Sequence, residues 1–263
     1  MRLDKFLAES SVGNRKVVRE YIKSGLVKVN GEILLEPAWE INEKCDVVEY
    51  LDKQIIHKGK VYYMFHKPAG YITAKKDLIN KTIFDLFHKD EMNGVFHVGR
   101  LDKDTEGLLL LTNDGEFEHH LMCPNKHVEK TYFFGALGNL SEENKRKLEQ
   151  GVYINKGEIL TKPAKIEVDK QGVYGELKEE IPIDILSNIT SNYYNQPIVA
   201  GYLTISEGRK HQVKRMLKAV GCYVIYLKRV SIGNLQLDNS LEKGKYRELT
   251  KLEVEKLMKK QVI

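Results

Sequence analysis

Residues 98–115 read VGRLDKDTEGLLLLTNDG, and the class of fold turns on them. The run GLLLLT, Gly107 to Thr112, is too short for a core helix and of the right length for a buried strand. Directly ahead of it stand Arg100 and three carboxylates, Asp102, Asp104 and Glu106. A charged loop running into a buried strand puts an acid at the rim of a core, where its reactivity can be tuned by partial withdrawal from water. An isolated Asp after a strand usually forms a turn or caps a helix, so the flanking segments have to decide. Asn113-Asp114-Gly115, which closes the run, predicts a hairpin turn.

Outward from this stretch the chain alternates strands and helices irregularly. Upstream, VYYMFHKPAGYIT (61–73) reads as a strand ending in a turn at Lys67-Pro68-Ala69-Gly70, TIFDLF (82–87) as a short helix and VFHVGRL (95–101) as a strand. Downstream, EFEHHLM (116–122) predicts a helix and VEKTYFFGAL (128–137) a strand. SEENKRKLEQG (141–151) has Ser141 to cap it, Glu142 and Glu143 where the helix dipole favours acids, and Gly151 to end it. Residues 201–233 run strand, basic turn, helix, strand. Strands and helices without regular βαβ alternation imply an α+β domain on a mixed, mainly antiparallel sheet, assigned to residues 59–263.

The first 58 residues predict a separate small domain of helices and a hairpin. LDKFLAESS (3–11) has Leu3, Phe6 and Leu7 at helical spacing; RKVVREYIKSG (15–25) presents Val17, Val18, Tyr21 and Ile22 on one face and ends at Gly25. LVKVNGEILLEP (26–37) is a hairpin turning at Asn30-Gly31, CDVVEYL (45–51) a further strand, and DKQIIHKGK (52–60) a polar linker. Between residues 1 and 31, Arg2, Lys5, Arg15, Lys16, Arg19, Lys23 and Lys28 face only Asp4, Glu9 and Glu20. Such a cluster suits contacts to phosphates. A second cluster, Arg209, Lys210, Lys214, Arg215, Lys218, Lys228 and Arg229, has only Glu207 against it between 205 and 230.

The composition excludes several classes. In 263 residues, 42 Lys and Arg against 37 Asp and Glu give a net charge of +5, a mild bias toward anionic partners. Cys45, Cys123 and Cys222 form no CxxC pair, so neither a disulfide framework nor a thiolate zinc site is expected, and His120, Cys123 and His127 lack a fourth ligand. No metal is expected. No apolar run is long enough to span a bilayer, and MRLDKF lacks a signal sequence's apolar core, so the protein is expected to be cytoplasmic, monomeric and away from membranes.

GRLDKDTEGLLLLTNDG (99–115) together with EKTY (129–132) and GRKHQVKRM (208–216) resembles the pseudouridine synthases, in the branch that carries an amino-terminal RNA-binding module and modifies ribosomal RNA. The first sixty residues are similar to the small RNA-binding module shared by a small-subunit ribosomal protein, tyrosyl-tRNA synthetases and several RNA-modifying enzymes. EKTY, HQVKRM and the closing GKYRELT (244–250) look most like the branch member that acts on small-subunit ribosomal RNA. The resemblance implies that Asp102 is the catalytic aspartate, that Tyr132 packs on the target base, and that Lys214 is the cationic partner of Asp102 where related branches have Arg. It places Leu227 in the base pocket and Arg100 beside the extruded nucleotide. Arg2, Lys5, Arg15, Lys16, Arg19, Lys23, Arg209, Lys210 and Arg215 become RNA contacts. The isomerisation consumes nothing, so no cofactor is expected, and ribosomal RNA, free or partly assembled, is the expected partner.

Two other readings compete. Asp102 and Asp104 share the spacing of the aspartates in haloacid-dehalogenase-type phosphatases, but Glu106 stands where that pattern has Thr or Val. A ribosome-assembly protein that binds RNA without catalysis would have no physical need of a charged, partly buried acid.

Overall fold

A computed structural model describes residues 1–10, 12–55, 59–88, 92–123, 126–155, 159–177 and 195–259. Its first unit follows the local sequence closely. Asn14 caps the second helix by accepting the Val17 amide at 3.0 Å, so α1 (Leu3–Glu9) and α2 (Arg15–Lys23) bury Leu3, Phe6, Leu7, Val18 and Ile22 against each other. Asn30 (φ 53°) and Gly31 (φ 85°) both take left-handed conformations, which joins β1 (Val27–Val29) to β2 (Glu32–Ile33) as a tight hairpin. With β3 (Val48–Tyr50) and β4 (Lys53–Gln54) they form a four-stranded sheet in the order β2-β1-β3-β4. The expected linker is therefore partly strand: Leu51 and Asp52, both at positive φ, turn the chain so that Lys53 pairs with Tyr50. Residues 56–58, where the linker continues to the expected domain boundary, lie outside the described residues.

The remainder builds on a nine-stranded mixed sheet with the order β13-β5-β7-β11-β8-β10-β9; β6 pairs with β7, and β12 with β11. The long strands are β5 (Tyr62–Lys67), β7 (Glu106–Thr112), β8 (Lys130–Leu137), β9 (Lys165–Val173), β10 (Pro197–Ile205) and β11 (Tyr223–Ile232). Short ones are β6 (Phe96–Val98), β12 (Leu235–Gln236) and β13 (Tyr246–Glu248). Every named strand pair is antiparallel except β7 with β11, which run parallel over Lys228 opposite Glu106 and Arg229 opposite Gly107. Helices α3 (Gly115–Met122), α4 (Glu142–Gln150), α5 (Tyr174–Leu177), α6 (Gln212–Ala219) and α7 (Lys251–Met258) accompany the sheet, and TIFDLF forms a 3-10 turn at Ile83–Leu86.

The leucine run is central because both of its faces are covered. Leu109 and Leu111 join a core with Phe65, Tyr132, Phe134 and Leu227, while Leu108 and Leu110 join one with Phe117, Leu121 and Leu257. All seven residues of β7 are buried. The expected hairpin at Asn113-Asp114-Gly115 is corrected. Asp114 instead caps α3, accepting the Glu116 amide at 3.0 Å and the Tyr62 hydroxyl at 2.8 Å, with the Lys60 ammonium 2.9 Å away. The same dipeptide favours both turns and helix starts, and Glu116 and Glu118 in the first turn tip the balance toward the helix.

Candidate active site

Residues 99–105 link β6 to β7, and three separate devices fix their shape. Thr73 reaches Leu101 twice: its hydroxyl donates to the Leu101 carbonyl at 2.7 Å and lies 3.1 Å from the Leu101 amide. The Gly70 amide donates to the Lys103 carbonyl at 2.8 Å. Lys67, with no exposed surface, donates from Nζ to the carbonyls of Thr105 at 2.8 Å, Pro68 at 3.0 Å and Lys103 at 3.4 Å. Burial lowers the Lys67 pKa to about 8 despite the opposing pull of Asp104, Glu106 and Asp102. In the sequence Lys67 reads only as part of a turn. A lysine at the inner end of the apolar strand YYMFHK was the available signal that it is buried.

The first turn of α6 grips this loop from the other side. His211, immediately before the helix, sets Nδ1 at 2.9 Å from Asp102 Oδ2. Lys214, three residues on and so on the same helix face, donates to Asp104 Oδ1. The expected Lys214–Asp102 pair is thus corrected: the ammonium goes to Asp104 and an imidazole to Asp102. Burial alone would raise the Asp104 carboxyl, but the Lys214 hydrogen bond and charge outweigh it and lower its pKa. Asp102 keeps 31% of its side chain exposed, so it is held by the protein yet open to a ligand.

Tyr132 and Leu227, on β8 and β11, are buried in the same core as Leu101, Val213 and Met216, the neighbours of Asp102 and Lys214. Arg229 sits opposite Tyr132 in the sheet, 2% exposed, with its guanidinium carbon 6.0 Å from the centre of the tyrosine ring. Its Nε donates to the Leu108 carbonyl at 2.8 Å and its Nη2 is buried without a hydrogen-bond partner. Arg229 therefore faces inward and is no part of a surface phosphate track. Arg209 is likewise corrected as a free RNA contact. Its fork is filled by the carbonyls of Ile159 at 2.6 Å and Leu160 at 2.8 Å, with Glu207 at 3.3 Å. Lys210 and Arg100 are exposed and Arg215 half-buried.

In the first unit the basic residues are organised rather than scattered. Arg2, Arg15 and Arg19 converge on Asp4, which has no exposed surface, at 3.1, 3.4 and 2.8 Å. Lys5 lies 3.8 Å from Glu9, and Lys16 and Lys23 are exposed. Among the described residues no group of three or more His, Cys, Asp or Glu side chains is arranged to hold a metal ion, and no helix is long and apolar enough to cross a membrane.

The fold and site define a two-part protein: a small unit of two helices and a four-stranded sheet, then a mixed sheet whose aspartate loop is clamped from two sides. The chain belongs to the RNA pseudouridylate synthase family, whose signature matches residues 61–219, and an S4 domain matches residues 1–48. It is similar to ribosomal small subunit pseudouridine synthase A of Haemophilus influenzae, with 37% identity over 98% of this chain and 100% of that one. It is also similar to ribosomal large subunit pseudouridine synthase B of Bacillus subtilis, with 36% identity over 97% of this chain and 95% of that one. A solved crystal structure of a pseudouridylate synthase superposes with a TM-score of 0.63 at 34% identity, covering 98% of this chain and 99% of that one.

Proposed function

We propose that this enzyme converts a uridine of small-subunit ribosomal RNA to pseudouridine, with Asp102 as the reacting carboxylate. The observation that carries the assignment is the Asp102 loop itself. Thr73, Gly70 and Lys67 hold its main chain, and Asp102 alone of its acids is half-exposed beside the core containing Tyr132 and Leu227. The bond from ribose carbon 1 to uracil nitrogen 1 breaks, the base turns, and a bond forms from carbon 1 to uracil carbon 5. The proton on carbon 5 leaves and nitrogen 1 gains one, so no atom is added overall. Asp102 acts either as nucleophile at ribose carbon 1 or as base at ribose carbon 2. The Tyr132 ring stacks on uracil and its hydroxyl assists removal of the carbon 5 proton, while Leu227 floors the pocket. Arg100 braces the gap left by the extruded nucleotide.

The basic residues of the first unit and Lys210 and Arg215 near α6 supply the phosphate contacts that offset the cost of extrusion. The motifs EKTY, HQVKRM and GKYRELT and the Haemophilus relative favour the small subunit; the Bacillus relative makes the large subunit the natural control. Tritium release from carbon 5 of labelled small-subunit RNA, large-subunit RNA and tRNA tests the reading. Release is expected from the first. Release only from the second would reassign the substrate, and release from none would leave an RNA-binding protein without catalysis. Asp102→Asn keeps the shape but cannot attack or deprotonate a sugar carbon, so turnover should vanish while RNA affinity and folding persist. Residual turnover within about tenfold of wild type, roughly 1.4 kcal/mol in barrier, would remove Asp102 from the role.

A further inference from the structure

Asp102 is met by a side chain to which the sequence motifs give no role. His211 adopts a left-handed backbone (φ 53°) just ahead of α6, a conformation costly for most residues other than glycine and asparagine. The turn that imposes it is stitched together by Gln212, which is 3% exposed. Its Nε2 donates to Glu207 Oε1 at 2.8 Å, and its Oε1 accepts the Arg209 amide at 2.8 Å. The Arg215 amide then closes on the His211 carbonyl at 3.0 Å. A rigid turn thus delivers one imidazole nitrogen, Nδ1, to one carboxylate oxygen, Asp102 Oδ2.

We propose that His211 is a positioning residue for Asp102: its Nδ1–H holds Oδ2 so that Oδ1 addresses the ribose. The proposal rests on Asp102 being the reacting carboxylate. An imidazole N–H suits this division of labour, because one hydrogen bond from it fixes one carboxylate oxygen and leaves the other free. The charged groups around the imidazole fit this division. The nearby Lys214 is bonded to Asp104, and Lys67 is bonded to main-chain carbonyls behind the loop.

Two substitutions separate positioning from folding. His211→Asn tolerates the left-handed backbone and places an amide N–H near the position of Nδ1; His211→Gly relaxes the backbone and removes the donor. With full-length protein and ribosomal RNA, His211→Gly should lose about tenfold or more in kcat with KM within about twofold, and His211→Asn should stay within about threefold of wild type. Independently of RNA, nitrogen-15 NMR should show a proton on Nδ1 of His211 and an Nδ1 resonance that moves in Asp102→Asn. His211→Gly matching wild type, His211→Asn failing as badly as His211→Gly, or an Nδ1 resonance indifferent to Asp102→Asn would each overturn the positioning role alone. A wild-type enzyme releasing no tritium from any RNA would overturn the catalytic reading and this one with it.

Discussion

Asp4 shows how much one buried charge can decide. Burial by itself raises its carboxyl, but hydrogen bonds from Arg19, Arg2 and Arg15 more than compensate and bring the pKa from 3.8 down to about 2. A depressed carboxyl stabilises the folded state fully above its unfolded pKa and ceases to do so as pH falls through the folded one. The first unit should therefore lose stability between about pH 4 and pH 2, by roughly 1–2 kcal/mol once the half-exposed arginines are discounted for solvent screening. Thermal denaturation of wild type and Asp4→Asn across that range should show the larger loss in wild type, since Asp46, Asp238 and Glu253 are also lowered and remain in the variant, which is already less stable at pH 7. A parallel pH dependence in both proteins would rule Asp4 out as its source. In the sequence Asp4 is one acid among basic neighbours, and its burial follows from α1 packing on α2. The site was legible to a similar degree. The Asp102 loop, Tyr132 and Leu227 stand out by motif, while the partners of Asp102 and Asp104 do not. Those depend on where α6 begins, with His211 just ahead of the helix and Lys214 in its first turn.

At the level of elements, local patterns located α1, α2, the first hairpin, β5, β7, β8, α4 and α6, because each carries its own periodicity and end signals. What they left out is β4, β9, α5, β12, β13 and α7, which lie in stretches without strong hydrophobic runs. The residues of β9 alternate exposed and half-buried, and its pairing with β10 settles its conformation. The junction of β7 with β11 was equally hidden, and it makes a firm demand. Gly107, at φ 103°, lies so near β11 that an added Cβ would stand 2.2 Å from the Arg229 carbonyl oxygen. Gly107→Ala should destabilise the protein by about 3 kcal/mol or more, combining steric overlap with backbone strain. Gly115→Ala, at the start of α3 with open space around it, should leave the melting temperature unchanged or slightly raised. Equal melting temperatures for the two variants would contradict the close approach.

At the scale of the whole molecule, the S4 match covers residues 1–48 and the pseudouridylate synthase match residues 61–219. Removing residues 1–58 should weaken RNA binding and flatten its salt dependence by about 0.7–0.9 in log–log slope for each phosphate that is no longer neutralised, while the large sheet still folds. An unchanged slope in a binding titration would show that the arginines around Asp4 touch no phosphate. The larger sheet also has a history written into its order. The parallel pairing of β7 with β11 is a seam between two antiparallel halves, one bearing the aspartate loop and the other Tyr132 and Leu227. Strand β11 reaches residue 232 of 263, and β13, which completes the aspartate half, comes later still. A chain emerging from the ribosome therefore carries its aspartate and its tyrosine long before they can meet. Until β11 has been made, no strand stands between the half that bears the aspartate loop and the half that bears Tyr132.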